Sequence, residues 1–184
     1  MTKQVDPYQY LLNADLIHSE DTVNEAIRLI AEHLNQEYED DPPIVLGVMG
    51  GAVYFTGQLL PKLQFALELD YVQATRYQGR TTVKELTWVV KPKENINGRR
   101  VLILDDILDE GVTLKAISEQ CYAQGAKEVR LAVLVEKQLN KSKPVNAHYV
   151  GLTVPNRYVF GCGMDIYGWW RNLPAVYALK EAAL

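Results

Sequence analysis

The sequence predicts an α/β fold, a central and mainly parallel sheet flanked by helices, and three observations lead to it. Two short runs, Ile44–Val48 and Val101–Leu104, are apolar throughout, as strands buried on both faces of a parallel sheet are. The second is followed by a helical stretch and then by the largely apolar Val129–Val135; strand, helix, strand with short connections is a parallel crossover unit. The 184 residues, 48% hydrophobic and 23% charged, fit one domain that can bury about 70% of its unfolded surface without a disulfide or metal staple. No repeat, low-complexity tract or linker interrupts the chain, so residues 1–184 are expected to form a single domain.

Each element has a local reason. Val23, Ala26, Ile27, Ile30 and Leu34 recur at helical spacing, and Thr22 with Glu25 forms a capping box ahead of them. Glu39-Asp40-Asp41-Pro42-Pro43 breaks that helix before the strand Ile44–Val48. Met49-Gly50-Gly51 then turns the chain into a second helix, Ala52–Leu60, closed by Pro61. Phe65–Gln73 reads as a strand and Thr87–Val90 as its return, with the polar, glycine-bearing Thr75–Glu85 as a long mobile hairpin tip. Glu94–Gly98 is a turn. After Val101–Leu104 come an acidic loop and a helix with Leu114, Ile117 and Cys121 on its inner side and Tyr122 at the margin; Gly125 stands where that helix should end. Tyr149–Gly151 and Tyr158–Phe160 are expected as short strands, and Pro174–Leu179 as a short terminal helix.

Composition removes several function classes. A formal charge of −4 argues against a sequence-independent nucleic-acid binder, which needs a basic face. Cys121 and Cys162 have no CxxC spacing, and His18, His33 and His148 are scattered, so zinc ligation has little support. Two free thiols suit a reducing compartment. The first seven residues lack the apolar core of a signal peptide, and no apolar run approaches the ~18 residues of a membrane span, so a cytoplasmic protein is expected.

In open parallel sheets, ligands sit at the carboxyl ends of strands. Here that place is held by Asp105-Asp106-Ile107-Leu108-Asp109-Glu110-Gly111-Val112-Thr113. Gly111 and Thr113 stand where a helix begins, so free backbone N–H groups could cradle a phosphate. Yet Asp105, Asp106, Asp109 and Glu110 crowd the same string and would repel a bare phosphate. Ribose hydroxyls and a magnesium ion reconcile the two, since carboxylates accept from hydroxyls and help hold the metal. A Walker B element also ends an apolar strand in Asp-Asp, but Gly47–Gly57 has no lysine for the phosphate loop it requires. A receiver-domain acid pocket would place its acid pair after the first strand. A purely structural acidic turn is the remaining reading.

This string resembles the PRPP-binding signature of the type I phosphoribosyltransferases: an apolar strand, two acids, two apolar residues, then Asp-x-Gly-x-Thr. Within that family the chain is similar to the hypoxanthine–guanine branch, from about Asp15 to the end of the expected terminal helix at Leu179. The resemblance implies the type I phosphoribosyltransferase fold, with a small hood formed by the N-terminal segment and C-terminal region and a mobile lid at about residues 75–86.

It also implies roles. Asp105 and Asp106 would bind the ribose 2′- and 3′-hydroxyls of PRPP, directly or through Mg2+. Asp109 would sit beside N7 of the purine as general base or electrostatic partner. Glu110, Gly111, Val112 and Thr113 would wrap the 5′-phosphate; many members carry threonine where Glu110 stands, so this glutamate must point away or be neutralised. Met49 and Gly50, in Met49-Gly50-Gly51, match the pyrophosphate loop, whose first peptide is usually cis; an ordinary Gly-Gly turn is the alternative. Many members have a lysine or arginine where Met49 stands, which leaves the contacts here to the backbone. Lys137 would donate to the 6-oxo group, favouring hypoxanthine and guanine over adenine, whose amino group cannot accept. Tyr158 would stack on the base and Val159 touch it through backbone. Asp165 would hold a second Mg2+ and bind the purine through its backbone carbonyl, which can meet a 2-amino group, and Arg171 would grip pyrophosphate. Arg76 and Tyr77 match the lid, which would keep water from an oxocarbenium-like state. Trp169 and Trp170 are read as packing residues.

The implied reaction joins PRPP to hypoxanthine or guanine. A xanthine enzyme is the near alternative. A PRPP-sensing regulator is the distant one, disfavoured by the acidic charge and by the presence of Asp109, Lys137, Tyr158, Asp165 and Arg171. Partners would be PRPP, 6-oxopurine bases and a second or further copies of the chain, as homodimer or homotetramer; Val53-Tyr54-Phe55 could serve that interface or the core.

Overall fold

In chain order the elements are helix α1 (Pro7–Leu12), strand β1 (Ala14–His18), helix α2 (Glu20–Glu37), strand β2 (Ile44–Val48), helix α3 (Val53–Leu59), strands β3 (Glu68–Arg76), β4 (Leu86–Val90) and β5 (Arg100–Leu108), helix α4 (Val112–Ala123), then strands β6 (Glu128–Lys137), β7 (Tyr149–Val154), β8 (Val159–Phe160) and β9 (Val176–Leu179). They come from a computed structural model, which describes residues 6–76 and 86–180.

The larger sheet has the order β4-β3-β2-β5-β6-β7, and a separate small sheet has the order β1-β9-β8. In the larger one every pairing is parallel except β3 with β4. The chain adds β3 on one side of β2 and then β5 on the other, so the order reverses at the β2/β5 boundary. Their carboxyl ends there form the crevice at which such sheets bind ligands.

Alternation along the strands divides the core. Val45, Leu102, Leu104, Ala132 and Leu134 pack with Val23, Ile27, Ile30 and Leu34 of α2 and with Phe55 and Leu59 of α3. Ile44, Leu46, Ile103, Leu131 and Val133 face the other way, onto Leu114, Ile117 and Cys121 of α4. Each such side chain removed from water contributes about 1.5–3 kcal/mol, and their period-two placement admits one register. Gly125 takes φ +88° just past α4, the left-handed geometry expected of a helix stop.

Several expectations are corrected. Pro174–Leu179 is not a helix: Val176–Leu179 is the middle strand of the small sheet, with Leu179 opposite Ala14 and Ala178 opposite Val159. So short a segment could not nucleate a helix alone, and β1 and β8 satisfy its backbone instead. Helix α2 starts earlier than the Thr22–Glu25 box: Ser19 is the N-cap, its Oγ accepting from the Thr22 N–H at 3.3 Å. β3 begins at Glu68 rather than Phe65, and α3 runs Val53–Leu59, with Pro61 inside a following 3-10 turn. Tyr122 lies outside the core at 53% exposure, its hydroxyl accepting from the Val129 N–H. β5 continues to Leu108 because β6 pairs with it throughout, Asp105 opposite Val133 and Leu108 opposite Glu136. The acid pair therefore belongs to the strand and not to a loop. α1 and β1 had no sequence expectation. α1 is anchored by Trp170, whose Nε1–H donates to the Pro7 carbonyl at 2.6 Å and whose ring meets Tyr8 edge-on. Trp170 thus packs as expected, whereas Trp169 is 48% exposed.

Candidate active site

At the carboxyl end of β5 the carboxylates of Asp105 and Asp106 are nearly buried, 9% and 8% exposed. The Asp106 N–H donates to Asp105 Oδ1 at 3.0 Å. Burial, and then the adjacent Asp106 charge, push the Asp105 carboxyl well above the carboxylate range. Burial raises Asp106 as well, against the opposing pull of its Asp105 hydrogen bond and the Arg171 charge. A buried acid pair in this state calls for hydroxyl donors or a cation.

The loop after β2 closes directly over this pair. A Cβ on Gly51 would lie 1.9 Å from Asp106 Oδ2, so only glycine permits the approach. Gly163, at φ +100°, is pressed in turn on Gly51: its Cβ would stand 2.0 Å from the Gly51 carbonyl oxygen. The Met49–Gly50 peptide is cis, and the Met49 N–H is held by the Val72 carbonyl at 2.8 Å. The expected pyrophosphate loop and acid pair are thus in contact.

Gly111 is the N-cap of α4, at φ +79° and with no side-chain cap, so the positive end of a 12-residue helix dipole begins at this loop. A cavity of about 290 Å³ reaches this turn and is lined by Asp105, Asp106, Glu110, Gly111 and Thr113. Val112 lies on the helix at 45% exposure. Glu110 resolves its own difficulty: Lys141 donates to its Oε1 at 2.8 Å and neutralises it.

A second cavity, about 300 Å³, opens between the two sheets and is lined by Ile107, Asp109, Lys137, Tyr158, Val159 and Asp165 among others. β8 sets Val159 in it, and the Tyr158 carbonyl accepts from the Leu179 N–H of β9 at 2.9 Å, so the small sheet positions these two residues. Lys137 Nζ donates to Asp109 Oδ2 at 2.7 Å. Tyr158 is 37% exposed and stacks on Tyr167 at 5.9 Å; burial, then Asp165, raise its phenol pKa. Arg171 bonds Asp165 at 2.6 Å and donates to the Gly163 carbonyl at 2.6 Å, while Asp165 also accepts from the Gly168 N–H. Arg171 and Asp165 are therefore engaged with each other.

Of the remaining expected site residues, Arg76 is the last residue of β3, and Tyr77 lies outside the described residues, as does most of the 75–86 lid. Sequence reading missed Ile107 and Met164 in the lining of this cavity, Tyr167 stacked on Tyr158, and Gly163 behind the acid pair. Ile107 lies inside the acidic string Asp105–Thr113, whereas only contact reveals Gly163.

Among the described residues no group of three or more His, Cys, Asp or Glu is arranged to hold a metal by itself. The buried pair Asp105 and Asp106 nevertheless fits Mg2+, which commonly takes one or two carboxylates and completes its shell with water and substrate oxygens. Among the described residues no helix is long and apolar enough to cross a membrane.

The family model of the phosphoribosyl transferase domain matches residues 14–166. The chain is 34% identical over 168 residues to the hypoxanthine-guanine-xanthine phosphoribosyltransferase of Tritrichomonas foetus, covering 91% of this chain and 92% of that protein. It is 36% identical over 163 residues to a bifunctional TilS/HprT protein of Listeria innocua, covering 88% of this chain but only 25% of that longer relative. A hypoxanthine phosphoribosyltransferase structure from Staphylococcus aureus superposes with a TM-score of 0.87 over 98% of each chain at 24% identity, a likeness of fold. With a family match over residues 14–166 and a relative 34% identical over nine-tenths of both chains, the chain belongs to the phosphoribosyltransferase family.

Proposed function

We propose that this protein transfers the 5-phosphoribosyl group of PRPP to hypoxanthine or guanine, forming IMP or GMP and pyrophosphate in purine salvage. The observation that carries the reading is the Lys137–Asp109 pair beside Tyr158, a donor and an acceptor side by side in a base-sized cavity that adjoins the acid pair. A 6-oxopurine entering there separates the pair: its 6-oxo group accepts from Lys137, and its N7–H donates to Asp109. Adenine offers an amino group where Lys137 needs an acceptor. The relative from T. foetus carries hypoxanthine, guanine and xanthine in its name, which supports a 6-oxopurine and keeps xanthine in view.

In the reaction the N9–C1′ bond forms, the bond from C1′ to the pyrophosphate oxygen breaks, and the N7 proton passes to Asp109. Asp105 and Asp106 hold the ribose hydroxyls. Glu110, Gly111, Val112 and Thr113 receive the 5′-phosphate at the start of α4, with Lys141 cancelling the Glu110 charge. Met49, Gly50 and Arg171 receive pyrophosphate, for which Arg171 exchanges its bond to Asp165. Asp105, Asp106 and Asp165 would hold Mg2+, which when bound neutralises charge on the leaving pyrophosphate. The small sheet acts as a hood over the base, and Arg76 with Tyr77 belongs to a lid that excludes water. We further infer a homodimer or homotetramer in the cytoplasm; Phe55 is core, while Val53 at 56% exposure is open to a second copy.

The test offers hypoxanthine, guanine, xanthine and adenine separately with PRPP and magnesium and measures nucleotide. Product from the first two and none from adenine is expected. Xanthine as best substrate would move the assignment to the sister activity. PRPP binding with no product from any base would overturn it in favour of a PRPP sensor.

A further inference from the structure

Lys143 lies on the connection between β6 and β7 and has no role above. Its side chain is 8% exposed. Its Nζ donates to the Leu108 carbonyl at 2.9 Å, the Lys137 carbonyl at 2.7 Å and Glu136 Oε1 at 3.0 Å. An ammonium has three protons, so every donor is used. A buried ammonium is costly unless it is saturated in this way, and the site is therefore built around it.

Its acceptors are the informative part. Leu108 ends β5 and precedes Asp109; Lys137 ends β6 and is itself the partner of Asp109. Three consecutive residues of the acidic string are each held by a lysine of one segment: Leu108 by Lys143, Asp109 by Lys137 and Glu110 by Lys141. The Lys141 contact is exposed and screened, whereas the Lys143 contact is not. The last pairing of β5 with β6 is Leu108 with Glu136; Lys137 is held on its far side, opposite Val154 of β7, but no ladder pairing joins Asp109 to it.

We infer that Lys143 is a positioning residue for base recognition: it clamps the ends of β5 and β6 so that Asp109 and Lys137 meet N7 and the 6-oxo group at a fixed separation. The inference rests on the roles proposed for that pair. A plain loop staple would instead support both backgrounds of a mutant cycle equally.

The test is that cycle, read as kcat/KM for hypoxanthine, with KM for PRPP and thermal stability measured alongside. Lys143→Met is expected to lower kcat/KM about tenfold or more with KM for PRPP within about twofold, yet to cost under about twofold in a Lys137→Ala background. Equal losses in both backgrounds, or loss only in stability, would overturn the inference. Should Lys143→Met not fold, Lys143→Arg keeps the charge but spreads its donors. It is expected to show the same background dependence at about threefold or more, and the wild-type value would refute the clamp. Absence of nucleotide from the wild-type chain would instead overturn the proposed reaction, and the clamp with it.

Discussion

Replacing Gly51 by alanine presses directly on the acid pair. The new Cβ would lie 1.9 Å from Asp106 Oδ2, 2.5 Å from its Cγ and 2.9 Å from its Oδ1, against a minimum near 3.0 Å. Asp106 must therefore recede by about 1.1 Å, or the loop carrying Met49 and Gly50 must, and Gly163 behind it blocks retreat on that side. Displacements of about 1 Å in a positioned group cost on the order of a hundredfold in rate, or about 2.7 kcal/mol in the transition state. The expected result is a fall of about that size in kcat/KM for PRPP at saturating hypoxanthine. Gly57→Ala is the matched control, since its Cβ meets nothing within 4 Å on the exposed face of α3, and it should raise stability by about 0.4–1 kcal/mol. The assay is the initial rate of IMP formation across a PRPP titration, with thermal melts of all three proteins. A Gly51→Ala enzyme within about threefold of wild type would refute the claim that this contact sets the acid pair.

Two further outcomes follow from the same site and core. Asp109→Asn should lower kcat about a hundredfold while PRPP affinity, measured by calorimetry, stays within about threefold; equal losses would remove Asp109 as the base. Burial pushes the Cys121 thiol up to about 11 and Cys162 to about 12, from an ordinary 9.0. The folded state holds these protons more tightly than the unfolded state, so their contribution to stability is complete below 9 and is lost as pH rises through the folded values. Thermal melts should therefore decline on the alkaline side, and a thiol reagent should label neither cysteine in the native protein and both in guanidinium. Rapid native labelling of either would contradict the burial argument.

The parts legible in the sequence are those encoded by local pattern. β2, β5 and β6 declare themselves because strands buried on both faces must be apolar at successive positions, and α2 because one face of a helix repeats at fixed spacing. Gly111 and Gly125 mark the two ends of α4 because both take a left-handed backbone conformation. The acidic string could be read as a ribose-phosphate site since two otherwise conflicting demands, carboxylates and a phosphate-ready helix start, stand in nine residues. What tertiary structure alone decided depends on partners distant in the chain. Val176–Leu179 is a strand because Ala14–His18 supplies its hydrogen bonds, a pairing with no local trace. The acid pair lies inside β5 because β6 continues the ladder past Leu104, although the change from apolar to acidic residues reads as a strand end. Glu110 is neutralised by Lys141, Arg171 is folded onto Asp165, and Lys143 reaches two strand ends, because side chains separated along the chain converge where the strands stop. Periodicity specifies which residues must be buried; the closing of one sheet against another determines which charges meet.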